Sequence, residues 1–283
     1  MEKISFIKAL IMGLVQGLTE FLPVSSSGHL VLAKFLFNVN LGDNSAFFEI
    51  LLHLGTLIAV CIFYYKDVWG LIREFFILLA DLVRRVTKKK PLEIYPERKM
   101  LLLVLIASVP TAILGLIIQK TIEDLFMSSI IAVGFALLVT AAILLLSHRI
   151  PLGHKKIKSM RYVDAAFIGL VQGIAVTPGI SRSGSTISAG QAAGLDREFA
   201  IRFSFLISLP AIAGAALLSL TEITKEDIAL NGAAYLAAMV VSAVVGYFCI
   251  RWMLNLLKNN KFHFFGYYCA VVGLVAIIAG IVM

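Results

Sequence analysis

Two stretches of this chain carry groups able to do chemistry, and both lie in strongly apolar surroundings. GLVQGLTEFLPVSSSGHL (residues 13–30) holds Gln16, Glu20, Ser25, Ser26, Ser27 and His29 around Pro23. GLVQGIAVTPGISRSGST (residues 169–186) holds Ser181, Arg182, Ser183, Ser185 and Thr186 behind Pro178. Gln16 and Glu20 are four positions apart, so they share one helical face pointing toward the break. A carboxylate there can hold a divalent metal or take a proton. Ser25 and Ser26 are candidate nucleophiles, and His29 lies about one helical turn on, suited to proton transfer. In the second stretch a Gly/Ser-rich loop runs straight into a helix start, whose unpaired N–H groups and positive dipole end favour an anion. Arg182 adds a guanidinium able to grip phosphate with two hydrogen bonds. Ser181, Ser183 and Thr186, with Ser25 and Ser27 of the first stretch, supply further donors. An acid/base set beside an anion clamp is most of what phosphoryl transfer requires. Neither loop matches the P-loop pattern GxxxxGK[ST], and no cysteine precedes Arg182 as a cysteine-dependent phosphatase loop would need.

The elements that must position these groups are membrane helices. Of 283 residues, 60% are hydrophobic and 15% charged, and the mean hydropathy is +0.94; soluble domains run nearer half apolar and a quarter charged. Runs such as 100–118, 130–146 and 235–250 are long enough, or nearly so, to cross a bilayer. Alternating apolar and polar positions are absent, which argues against a β-barrel. The net charge of +8 is no nucleic-acid signal, because the basic residues cluster in short loops between apolar runs. Cys61, Cys249 and Cys269 stand alone in such runs and read as small buried hydrophobes. The first 30 residues are not a cleaved signal sequence on this reading: Gln16 and Glu20 interrupt the apolar core, and the same pattern recurs at 169.

That recurrence organises the chain. Aligned without a gap, the stretches share Gly13/Gly169, Gln16/Gln172, Gly17/Gly173, Ser25/Ser181, Ser27/Ser183 and Gly28/Gly184. The register persists where FFEILLHLGT (47–56) meets FSFLISLPAI (203–212). The expected architecture is all-α and multi-span: one transmembrane domain over 1–283, built from two repeats at about 1–147 and 157–283. Each repeat holds a broken, re-entrant helix pair (4–37 and 162–194) and three membrane helices, expected at 44–65, 100–118 and 125–147, then at 199–220, 229–251 and 263–283. The segment 66–85 is too charged to cross and reads as an interfacial amphipathic helix. Basic loops at 66–99, 148–161 and 251–261 then fall on the cytoplasmic side, whereas 119–124 and 221–228 are acidic or balanced. Both termini fall outside and the repeats are inverted in topology.

The two polar stretches resemble the signature segments of the bacterial undecaprenyl pyrophosphate phosphatase family, the bacitracin-resistance type. FFEILLHLGTLIAV and FAIRFSFLISLPA resemble its flanking helices, and the likeness covers nearly the whole chain. The resemblance implies removal of the terminal phosphate from a C55 polyprenyl diphosphate, with Mg²⁺ or Ca²⁺, to recycle the carrier lipid of cell-wall synthesis. It implies a multi-pass protein of the bacterial plasma membrane whose site opens outward. Carried over position by position, it assigns Glu20, Ser26, His29 and Arg182 to catalysis. Gln16 stands where many members have Glu, so it can ligate a metal or water but cannot act as a base. The nucleophile stays open among Ser26, His29 and water, and Glu20 with Gln16 form the candidate metal ligands.

Around these, Glu49 and His53 share a helical face and, with Arg202, are candidates to support the loops from behind. Tyr64, Tyr65, Trp69, Trp252, Tyr267 and Tyr268 fall near span ends and read as interfacial anchors. The expected partners are a polyprenyl diphosphate lipid and the membrane, with no nucleic acid; a homodimer is left open. The rival reading is a flippase or transporter of polyprenyl phosphate without hydrolysis, since inverted broken helices also build transporters. The asymmetry between the loops, Glu20 against Val176 and His29 against Ser185, speaks for catalysis, where the two sides need different roles.

Overall fold

The computed structural model describes residues 4–39, 45–88, 93–219, 225–258 and 262–282. Eleven helices make up the described chain: α1 (Phe6–Thr19), α2 (Ser26–Leu36), α3 (Ser45–Phe63), α4 (Tyr65–Lys88), α5 (Pro96–Ser128), α6 (Ile130–Ser147), α7 (Tyr162–Ile174), α8 (Arg182–Ala192), α9 (Arg197–Ser219), α10 (Lys225–Lys258) and α11 (His263–Val282). No β-strand occurs among the described residues. Five helices are long and apolar enough to cross a membrane, and α1 and α7 are shorter apolar helices.

Local chemistry explains both broken pairs. Helix α1 stops before Pro23, which lacks an N–H to continue the ladder. Ser25 turns the chain at φ 72° and caps α2, its hydroxyl accepting from Gly28 N at 3.3 Å. In the second pair Gly179 makes the turn at φ +93°, and Ser181 caps α8 by accepting from Gly184 N at 3.1 Å. A serine hydroxyl at this position satisfies one of the orphan donors of a helix start.

Small residues let each broken pair dock closely. A Cβ added at Gly13 would lie 2.4 Å from Ala238 O on α10, and one added at Gly169 would lie 2.1 Å from Ala107 O on α5. Four residues on, Gly17 meets Ser242 and Val245, while Gly173 meets Pro110 and Leu114. Close approach of this kind drives helix association where lipid removes the hydrophobic incentive. Gly13 and Gly169 are 156 positions apart but their partners Ala107 and Ala238 are 131 apart. The difference of 25 matches the 24 residues of α4, which has no counterpart among the described residues of the second half. Helix α4 leaves α3 at a bend of 93°, so α3 and α4 cannot form one straight span. Its exposed face is apolar, with Trp69 at 69% and Phe76 at 64%.

The last helices of the two halves run antiparallel. Gly134 of α6 meets Gly273 and Ile277 of α11, whereas Ala141 and Leu145, further along α6, meet Gly266, further back on α11.

Several boundaries differ from expectation. The segment 119–124, expected as a loop, lies inside α5, and α6 begins at Ile130 rather than near 125. QKTIED contains no Gly or Pro, and Gln, Lys and Glu favour helix; the break falls instead at Ser129, with φ −125° and ψ 106°, which caps Ala132 N. Helix α10 likewise exceeds the expected 229–251 at both ends. Lys89 and Lys90 of the first basic loop, Lys261 of the third, and 221–224 lie outside the described residues.

Candidate functional site

The two breaks touch each other. A Cβ on Gly28 would come within 2.9 Å of Gly179 Cα, and one on Gly184 would lie 3.2 Å from Pro23 Cβ. Gly28 aligns with Gly184 and Pro23 with Gly179, so the contact is reciprocal, as across a two-fold axis. The carbonyls of the aligned turns are met from outside in the same way. Thr140 Oγ1 on α6 donates to Gly179 O at 2.9 Å, and Cys269 Sγ on α11 lies 3.8 Å from Pro23 O.

Glu20 ends α1 at this contact and is 5% exposed. Four groups from four helices converge on its carboxylate. Gln16 Nε2 donates to Oε2 at 2.9 Å, and Ser26 Oγ donates to the same oxygen at 2.5 Å. Arg182, first residue of α8, pairs with Oε1. His53 Nε2, from α3, stands 3.6 Å from Oε2, too far for a hydrogen bond and close enough for an ionic contact when the ring is protonated. The Glu20 side chain is 2% exposed and that of Arg182 21%. Arg182 therefore covers the carboxylate from the open side, where an incoming anion would meet the guanidinium first.

His29 and His53 are oriented by the same device. Each Nδ1 lies 2.8 Å from a backbone carbonyl one turn back, Ser25 O and Glu49 O respectively. A carbonyl can only accept, so each Nδ1 carries a proton and each Nε2 is directed outward. For His53 that direction is Glu20. For His29 it is Tyr268 on α11, whose hydroxyl lies 2.9 Å from Nε2 and whose ring stacks on the imidazole at 5.6 Å.

Several residues singled out in the sequence serve differently here. Ser181, Ser183 and Thr186 are at most 7% exposed. Ser183 Oγ donates to Leu22 O at 3.2 Å. Thr186 Oγ1 lies 2.8 Å from Arg182 O and 2.5 Å from Ser204 Oγ. These hydroxyls tie the loops together, whereas Ser26 and Ser27 are half-buried at the open side. Ser25 does the capping described above and lies 3.5 Å from Ser27 Oγ. The Glu49 carboxylate is turned from the cluster to Lys34 on α2, which also contacts Ser45; only the Glu49 carbonyl serves the site, by holding His53. Arg202 is not behind the loops: its Nε donates to Asp67 of α4 at 3.0 Å. It lies one turn into α9, level with the α3–α4 bend, and its long side chain reaches the nearer carboxylate.

Sequence reasoning missed two contacts, that of Tyr268 with His29 in the site and that of Lys34 with Glu49 beside it. Tyr268 reads as an interfacial anchor, and nothing local reveals that α11 brings it to His29. Lys34 did carry a signal, an ammonium in the apolar stretch HLVLAKFLF, where a charge is costly without a partner. No group of three or more His, Cys, Asp or Glu side chains able to hold a metal occurs among the described residues. Gln16 Oε1 is buried without a hydrogen-bond partner. The aligned Gln172 Oε1 is likewise unpaired, so what distinguishes Gln16 is the Glu20 carboxylate beside it, together a sparse donor set of the kind that suits Mg²⁺ when substrate phosphates complete its shell.

Two broken helices meeting tip to tip, with a carboxylate, a serine and a guanidinium at the junction, define a polytopic membrane protein with a polar, charged cluster at its core. The chain belongs to the family described as bacitracin resistance protein BacA, whose model matches residues 9–275, and it is an integral membrane protein. It is 40% identical over 281 residues to an undecaprenyl-diphosphatase of Methanosphaera stadtmanae, covering 99% of this chain and all of that one. A protein of the same name from Methanobrevibacter smithii is 38% identical over 276 residues, covering 97% and 98%. Another from Korarchaeum cryptofilum is 42% identical over 267 residues, covering 94% and 96%.

Proposed function

We propose that this chain is a membrane-embedded undecaprenyl-diphosphatase, cleaving the terminal phosphate from a long polyprenyl diphosphate. The observation that carries the chemistry is the convergence of Ser26 and Arg182 on the two oxygens of buried Glu20. A nucleophile hydrogen-bonded to a base is the arrangement for covalent catalysis. The terminal phosphate displaces Arg182 from Glu20 and accepts from two of its N–H groups. Glu20 accepts the Ser26 proton as Ser26 Oγ attacks phosphorus. The bond to the bridging oxygen breaks, its electrons stay on the lipid monophosphate, and a phosphoserine forms. Water then attacks that phosphorus, the bond to Ser26 Oγ breaks, the proton held by Glu20 returns to that oxygen, and inorganic phosphate carrying the water oxygen and its protons is released. His53 and His29 flank this exchange, the first at Glu20 and the second one turn beyond Ser26, where Tyr268 holds it. Gln16 and Glu20 would hold a divalent cation; when bound, it neutralises charge on the diphosphate.

Purified protein in detergent should release phosphate from the C55 diphosphate, and Glu20→Gln and Arg182→Ala should lower release at least about 10²-fold while the protein elutes unchanged. Acid quenching with terminally labelled substrate should trap label on wild type and none on Ser26→Ala. Full turnover by Ser26→Ala would instead assign the attack to water. Binding without release by wild type would favour the transporter reading, which the reciprocal loop contact also suits.

The reading includes inverted repeats with the site open to the outside and both termini there. The antiparallel α6–α11 pair and the matched docking of α1 on α10 and α7 on α5 support it, and the right-angled α4 suits an interfacial helix. A cysteine at exposed Lys156 should resist an impermeant thiol reagent in intact cells, while one at Thr121 should react. The opposite pattern would overturn the orientation.

A further inference from the structure

Away from the broken helices, the starts of α5 and α7 enclose an open cavity of about 610 Å³. Its polar lining is Tyr95, Lys99, Lys158, Ser159, Arg161 and Tyr162, with no carboxylate among the lining residues. Two of the three cations are held in place: Lys99 Nζ donates to Lys158 O at 2.6 Å, and Arg161 Nη2 donates to Asp164 at 3.1 Å. Lys155 Nζ shares Asp164 at 3.0 Å; Glu93 and Glu97 flank the lining, and against Lys99, Lys155, Lys156, Lys158 and Arg161 these three acids leave the local balance positive. From Tyr162 an apolar stripe leads away along α7: Val163, Phe167, Leu170 and Ile174 are 72%, 44%, 46% and 52% exposed. Spacings of four, three and four put them on one helical face.

We propose that this cavity is a binding site for the phosphate headgroup of an anionic glycerophospholipid, with an acyl chain lying along the α7 stripe. A cation-lined pocket at the end of membrane helices matches a lipid phosphate in charge, and the stripe supplies what a free phosphate would leave unused. Tyrosines at the mouth suit the headgroup level of a bilayer. Tyr95 gives the site a structural reach, because its hydroxyl also bonds Glu74 of α4. Glu74 in turn receives Arg98 Nε at 2.6 Å. An occupied cavity thus braces the junction of α4 and α5.

Native mass spectrometry of the detergent-purified protein, offered equal phosphatidylglycerol and phosphatidylcholine, tests this. Wild type should retain phosphatidylglycerol preferentially. Lys158→Gln should lower that occupancy about five-fold, the worth of one cation near a lipid surface, and Lys158→Glu should lower it further. Lys156→Glu changes the same loop's charge outside the cavity and should behave as wild type. Phosphate release in detergent without added lipid verifies that each variant is folded. Should the Lys158 variants fold poorly, raising salt on wild type from about 0.05 M to about 0.5 M should erase the preference by screening. No preference in wild type, or equal losses at Lys156 and Lys158, overturns the site. Displacement by millimolar inorganic phosphate would make it a free-phosphate site, and displacement by an equimolar isoprenyl monophosphate would make it a product site; either overturns the glycerophospholipid assignment.

Discussion

The two broken helices share a frame and divide the chemistry. Gln16 and Gln172 are both fully buried, both follow a glycine that meets a partner helix, and both lead to a serine-capped helix start. Yet Gln16 donates to Glu20, while Gln172 Nε2 donates to Thr111 Oγ1 at 3.1 Å and Ile207 O at 3.2 Å. One amide serves the site and the other holds helices together. The turns differ as well. In the second loop the positive φ falls on Gly179, which adopts it without strain. In the first it falls on Ser25 at φ 72°, where a side chain costs about 1–3 kcal/mol. That strained residue immediately precedes Ser26. Two segments of like sequence can keep the same packing residues while only one carries the acid, because packing depends on backbone approach and chemistry on a few side-chain tips.

This division can be tested by paired substitutions. The largest effect is expected at Glu20→Gln, where losing the base lowers kcat about 10²–10⁴-fold; Val176→Gln at the aligned position should leave kcat near wild type. Arg182→Lys should lower kcat/KM about 10²–10³-fold, since an ammonium cannot reproduce the two-pronged contact. Steady-state phosphate release reads both. Next come the docking glycines. Gly13→Val and Gly169→Val should each destabilise by about 1–3 kcal/mol through overpacking, seen as matched drops in thermal midpoint. A drop for only one would break the symmetry of the frame. Gln16→Leu and Gln172→Leu should separate cleanly: the first lowers kcat with little change in midpoint, the second lowers the midpoint with little change in kcat. The smallest effect is expected at Tyr268→Phe. Removing one hydrogen bond to His29, worth about 1 kcal/mol, should reduce kcat about five-fold and leave KM unchanged; equal activity would show that His29 needs no support from α11.

Much of the frame was legible from residue order. Pro23, Pro178 and the Gly/Ser runs mark both breaks, because Pro cannot continue a helix ladder and serine supplies a cap. What was not legible lay where signals were weak or distant. QKTIED reads as a loop by polarity but holds no breaker, so α5 runs through it. Ser181, Ser183 and Thr186 read as phosphate ligands by type, but their burial turns them toward Leu22, Ser204 and their own helix. Arg202 was expected behind the loops and instead reaches Asp67, a partner 135 positions away. A side chain's local pattern says which groups it can bond, and only the fold says which of them is near.

By itself, the sequence determined that the chain is a helical membrane protein with a repeated, broken element, since hydropathy, breakers and caps act over a few residues. It also named Glu20, Ser26 and Arg182, because polar groups at breaks in apolar helices stand out whatever surrounds them. Tertiary structure alone decided that those three meet, across 162 residues for Arg182 and Glu20, and that His53 faces the carboxylate while His29 faces Tyr268. Helical periodicity sets the face on which a group lies, but the neighbour of that face follows from interhelical contacts at glycines such as Gly13, Gly28 and Gly169, between segments far apart in the chain.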